Sequence, residues 1–155
     1  MPRDSVISAI WHTMRHASAH AVLAGFVLAG VATLPAGAQE PDVSVELNKL
    51  EPQEKGCRAY VVVANGSDTT YQSFKLDLVL FGTDGIIAKR FALDLAPLKG
   101  NKRTVKLFDL DSVACDGVGS FLVNDVLECR SEAGAVADCL ARIKVSSLTK
   151  AQIAK

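Results

Sequence analysis

From residue 43 onward, apolar and polar side chains alternate one by one. Successive side chains of an extended strand point to opposite faces, so each such segment has one face for a core and one for water. Val43, Val45 and Leu47 alternate with Ser44, Glu46 and Asn48, and Cys57, Ala59, Val61 and Val63 alternate with Arg58, Tyr60 and Val62. The clearest strand is Phe74, Lys75, Leu76, Asp77, Leu78, Val79, Leu80, which sets four large apolar residues against two charges and a valine. Residues 86–95, 103–110, 118–127 and 140–145 carry the same period and complete a set of seven.

Turn chemistry separates these segments. Asn65-Gly66-Ser67-Asp68 closes the second, Gly82-Thr83-Asp84-Gly85 joins the third to the fourth, and residues 97–102 join the fourth to the fifth. Short strands with regular punctuation predict an all-β fold, a single immunoglobulin-like antiparallel β-sandwich of about seven strands over residues 39–145. No segment has the period of a long amphipathic helix. Residues 131–138 are expected to form one helical turn, and residues 146–155 a frayed C-terminal tail.

The first 38 residues read as a cleavable signal peptide. An uncharged stretch, residues 21–34, follows Arg3 and Arg15 and precedes Ala36-Gly37-Ala38, an A-x-A pattern that places cleavage between Ala38 and Gln39. Fourteen helical residues span about 21 Å, short of the roughly 30 Å hydrocarbon core, so cleavage is expected rather than anchoring. No twin arginine precedes the apolar run, which favours Sec-type export, and no cysteine near the junction could take a lipid. Met14 offers a second, more ordinary start for the leader. The protein is therefore expected to be periplasmic or secreted, with no stable membrane anchor after cleavage.

Removing residues 1–38 from 155 leaves 117, one domain's worth. Taking Arg3, Arg15 and Asp4 from totals of 17 bases and 17 acids leaves 15 and 16, a balance that gives no footprint for nucleic acid. His12, His16, His20, Trp11 and both methionines lie in the leader, so the remainder contains no His, Trp or Met. Ser-His-Asp and Cys-His catalysis and any His-ligated metal are thereby excluded from it. No cofactor is expected.

Cys57, Cys115, Cys129 and Cys139 all follow the leader. An even count in an exported chain reads as a disulfide framework with three possible connectivities, and the long gaps between cysteines contain no C-x2-C or C-x4-C metal clip. Strand order selects Cys57–Cys115 and Cys129–Cys139. Cys57 opens the second strand where the fifth ends near Cys115, whereas Cys129 and Cys139 flank one loop at the opposite end.

The segments GCRAYVVVAN, FKLDLVLFGTDGIIAKR, FLVNDV and ADCL resemble small exported proteins of alphaproteobacteria of unassigned role, often labelled Tat-signal proteins, although this leader lacks the arginine pair. A fainter likeness is to FxLYD-type β-sandwich modules. The resemblance implies fold and compartment, and no functional residues.

Several clusters are candidate sites. Lys89, Arg90, Lys99, Lys102, Arg103 and Lys106 crowd into 18 residues with only Asp94 opposing. On a hairpin of the fourth and fifth strands at a sheet edge they would form a positive stripe for an anionic envelope surface or another envelope protein. Lysines also guard edge strands against unwanted pairing, which is the plainer reading. Asp109, Asp111 and Asp116 resemble a calcium loop but lack its spacing and its bidentate Glu. Asn65-Gly66-Ser67 fits a glycosylation acceptor and a turn equally in residue type, and the turn is expected. Asp77 and Asp84 are placed too differently, in a strand and in a turn, for a catalytic pair.

These features lead to a non-catalytic binding or structural module of the cell envelope. An inhibitor or chaperone-like partner of another envelope protein is a sharper version. A His-independent enzyme using carboxylate or Lys is the alternative of another class. A pocket with a strongly shifted carboxylate or lysine would favour the enzyme, and an exposed apolar or unpaired edge beside the basic residues would favour binding.

Overall fold

The computed structural model describes residues 42–155; the leader and its Ala38–Gln39 junction lie outside the described residues. Nine strands follow in order: β1 Val43–Gln53, β2 Gly56–Asn65, β3 Tyr71–Gly82, β4 Ile87–Asp94, β5 Lys102–Asp111, β6 Val118–Ser131, β7 Gly134–Ala135, β8 Ile143–Ser147 and β9 Gln152–Ala154. A single 3₁₀ turn, Cys115–Gly117, precedes β6. One sheet has the order β5-β2-β1-β8, and the other runs β4-β3-β6-β7 with β9 also on β6. The two form a sandwich.

The alternation explains the core. Val43, Val45, Leu47, Cys57, Ala59, Val61 and Val63 from β1 and β2 are all buried, and they face Phe74, Leu76, Leu78 and Leu80 of β3. A fully buried Val, Leu or Phe contributes about 1.5–3 kcal/mol, so these inner faces hold the two sheets together. The β1–β2 register shifts between Leu47 and Lys49, a bulge that interrupts the alternation of β1.

Five connections carry the chain from one sheet to the other: β2–β3, β4–β5, β5–β6, β7–β8 and β8–β9. The expected hairpin of the fourth and fifth strands is therefore corrected. Pairing partners place β4 on β3 and β5 on β2, so residues 95–101 cross between sheets. The all-antiparallel expectation also gives way at two places, because β8 runs parallel to β1 and β9 parallel to β6. Residues 131–138 form a tight turn and the short β7 instead of a helical turn, since the chain doubles back to pair Arg130 with Ala135. The tail is not frayed: Ser120, Phe121 and Leu122 pair with Gln152, Ile153 and Ala154, and Ala151 is buried.

Two disulfides join Cys57 to Cys115 and Cys129 to Cys139, with Cα separations of 4.9 and 6.5 Å. Each ties one sheet's strand to a segment leading into the other sheet. The first brackets the connection into β6, and the second brackets the connection out of it. Gly56, beside the first bridge, lets the β5 backbone approach closely. Its φ is +153°, and a Cβ there would lie 2.1 Å from the Leu110 carbonyl oxygen of the adjacent β5.

Candidate functional site

Among the described residues, strand β5 is the outer strand of its sheet and pairs only with β2. Alternate residues of an antiparallel strand turn their N–H and C=O to opposite neighbours. The Ser112 amide donates to the Lys55 carbonyl at 2.7 Å, and the register from Gly56–Asp111 to Asn65–Lys102 has no shift. The even-numbered residues of β5 are thus the ones bonded to β2. The N–H and C=O groups of Arg103, Val105, Leu107 and Asp109 point along the free edge.

The side chains of those same residues lie on the outer face, because Leu110 is buried and Phe108 packs against the core. Val105 is 58% exposed and Leu107 is 55% exposed. Across the register they stand beside Val62 and Tyr60 of β2. Polar groups surround this apolar strip. Arg58 Nε and Nη2 donate to the two carboxylate oxygens of Asp109 at 2.7 and 3.0 Å, and the Tyr60 hydroxyl donates to Glu51 at 2.6 Å. The Lys49 ammonium sits 5.3 Å from the Tyr60 ring centroid. Hydrogen bonding to Arg58 holds the Asp109 carboxyl below its ordinary range.

The inner face of the same edge carries Lys106, whose ammonium donates to the Ala96 carbonyl at 2.8 Å. Lys89 occupies the corresponding face of β4, the outer strand of the other sheet, opposite Leu80. Both sheets thus end in a strand with an inward-facing lysine, a device that discourages edge pairing.

The six basic residues do not form one stripe. Lys102, Arg103 and Lys106 share β5, whereas Lys89 lies on the inner face of β4 and Lys99 in the crossing connection. Arg90 is on the outer face of the other sheet, where its Nε and Nη2 reach the two Asp77 oxygens at 2.9 and 2.7 Å. Asn124 adds a third bond to Asp77 at 2.7 Å. Asp77 faces outward by strand parity yet is only 4% exposed, because Arg90 and Asn124 cover it. Hydrogen bonding to Arg90, then to Asn124, lowers its pKa. Asp84 instead accepts from the Ile86 amide at 2.9 Å within the β3–β4 turn.

Asn65 is buried and fully used. Its Nδ2 donates to Thr69 O at 2.7 Å and to Leu98 O at 3.2 Å, and its Oδ1 accepts from the Ser67 amide and hydroxyl at 3.1 and 2.9 Å. This is turn chemistry. Among the described residues, no three His, Cys, Asp or Glu side chains group as a metal-ligand set, and Asp109 is engaged by Arg58.

A polar cleft of about 530 Å³ opens between Asp68, Gln72, Lys99, Asn101 and Glu132. Its acids are tied down: Asn101 donates to Asp68 at 2.6 Å, and Gln72 to Glu132 at 3.2 Å. The displaced carboxyls Glu51, Asp77, Asp109 and Glu128 all shift downward through hydrogen-bonded partners. General acids need the opposite displacement.

Charge does not mark the exposed pair Val105 and Leu107. Their signal was present: in residues 103–110 the apolar side chains occupy both parities, so one set had to face solvent. No family model, curated protein or solved structure matches the chain.

Proposed function

We propose that this protein is a non-catalytic binding or structural module of the cell envelope, periplasmic or secreted, whose contact surface is the free edge and outer face of β5. The observation that carries the reading is a ten-residue outer strand with free backbone groups and two exposed apolar side chains, Val105 and Leu107. Such edges accept a further strand through main-chain hydrogen bonds, with side-chain contacts supplying selectivity. The leader pattern supports export, and two disulfides suit an oxidising compartment.

Site-specific photo-cross-linking in intact cells tests this. A photoreactive residue at position 105 or 107 should give discrete cross-linked products in the exported fraction, and one at Glu54, in the β1–β2 turn, should not. Equal labelling from both places would remove β5 as the contact surface.

A further inference from the structure

We infer that the occupant of the β5 edge is the β5 edge of a second copy of this chain, joined antiparallel about a twofold axis at Lys106. This rests on the reading of that edge as the contact surface. Strand β5, KRTVKLFDLD, is segregated by charge: Lys102 and Arg103 begin it, Val105 and Leu107 occupy its middle, and Asp109 and Asp111 end it. An antiparallel pair reverses one copy, so each basic start meets an acidic end.

The register follows from the side chains. Centred on Lys106, two copies set Arg103 against the partner's Asp109, which already accepts from Arg58 of its own chain and would be shared between the two arginines, and Val105 against the partner's Leu107, each pair occurring twice. These are odd-numbered residues, the ones whose N–H and C=O groups point along the free edge, so both pairs fall at hydrogen-bonded positions. Centring on Val105 would set Arg103 against the partner's Leu107. Centring on Leu107 would set Val105 against the partner's Asp109. On the outer face, the Lys106 centre alone among the three sets no charge against an apolar side chain, although the Leu107 centre also brings Arg103 to the partner's Asp111. Opposite charges facing across strands are favourable, and like charges are unfavourable.

Lys106 meets the partner's Lys106 on the inner face. Each ammonium is held on the Ala96 carbonyl of its own chain, at 2.8 Å here. The like-charge contact weakens the association, so the dimer fraction depends on the concentration of the chain.

Charge exchange between copies provides the test. Arg103→Asp sets acid against acid twice in its own dimer, and Asp109→Arg sets base against base twice. An equimolar mixture of the two restores both pairs in a heterodimer. Sedimentation equilibrium of the parent, from micromolar to millimolar concentration, should show the mass doubling. Each variant should associate about tenfold more weakly or worse, and the mixture should return toward the parent. Thermal unfolding of each variant checks the fold. Should Asp109→Arg fail to fold, hydrogen exchange of the parent serves instead: the Val105 and Leu107 amides should gain protection as concentration rises.

A parent that stays monomeric, or variants that dimerise as the parent does, overturns the inference. Cross-linked products from positions 105 and 107 at masses other than twice the chain would then leave β5 a contact surface for a different protein. Absence of any product would remove that surface as well.

Discussion

Phe91 and Phe108 belong to different sheets, yet their ring centroids lie 5.4 Å apart at an interplanar angle of 48°. Phe108 also meets Phe121 edge-on at 6.1 Å. The rings pack at the side of the sandwich where, among the described residues, each sheet ends in an outer strand. Lys89 and Lys106 lie two residues away on the same inward faces. This side is therefore partly covered by aromatic contact and kept from indiscriminate strand addition by charge.

Lys106→Thr should make the edge more adhesive. The substitution removes an inward charge and places a residue of high strand propensity at the centre of β5. Self-association should tighten about tenfold, while stability falls by about 1 kcal/mol through loss of the bond to Ala96. Sedimentation equilibrium and chemical denaturation of the two proteins read these effects separately.

Loss of the Cys57–Cys115 bridge should cost more than loss of Cys129–Cys139. The sequence separations are 58 and 10 residues. In the chain-entropy account these correspond to about 4 and about 3 kcal/mol. A paired Cys57→Ser, Cys115→Ser variant should melt lower than Cys129→Ser, Cys139→Ser, as measured by calorimetry. Peptide mapping without reduction should recover only the two native linkages from the parent.

Removing residues 148–155 should destabilise the fold. The deletion takes away β9, its pairing with Ser120, Phe121 and Leu122, and the buried Ala151. It also removes the Leu148 amide, which donates to Leu47 O at 2.9 Å. A loss of about 2 kcal/mol or more is expected, visible as a lower denaturation midpoint and faster exchange of the Phe121 amide. A truly frayed tail would leave both unchanged.

Stability should fall in acid. Asp77 hydrogen-bonded to Arg90, Asp109 to Arg58, Glu128 to Lys75 and Glu51 to Lys49 all titrate below their ordinary values of 3.8 for Asp and 4.5 for Glu. Their folded carboxylates hold protons less well than the unfolded ones. Their contribution is complete above the ordinary carboxylate range and is lost as pH falls through the lower folded values. Melting temperature should thus be level from neutral pH to about 5 and decline below it. Arg90→Gln should lower the melting temperature at neutral pH and make the acid decline shallower, because Asp77 then loses the partner that chiefly holds its folded pKa below the unfolded one.

The inner faces of β1, β2 and β3 were legible because a period of two assigns every side chain to a face. Both disulfides followed from which strand ends share an end of the sandwich. Alternation does not say which sheet a strand joins, so the crossing between β4 and β5 was invisible to it. The partners of Asp77 lie 13 and 47 residues away, and nothing local marks that carboxylate as covered. Strand β9 has three residues, too few to establish a period, and its order comes from docking on β6. The β5 surface was half legible: its charges stood out, whereas its exposed valine and leucine resembled core.

The bridges join the first cysteine to the second and the third to the fourth. A polypeptide threaded N-terminus first into an oxidising compartment offers Cys57 with no mate until Cys115 arrives, and then Cys129 with no free mate until Cys139. Oxidation in order of emergence yields the native set directly. Such a chain has no need of disulfide reshuffling, which otherwise takes seconds to hours and an isomerase to hasten it. If the chain is exported as proposed, its maturation should depend on a thiol oxidase and proceed unhindered without an isomerase.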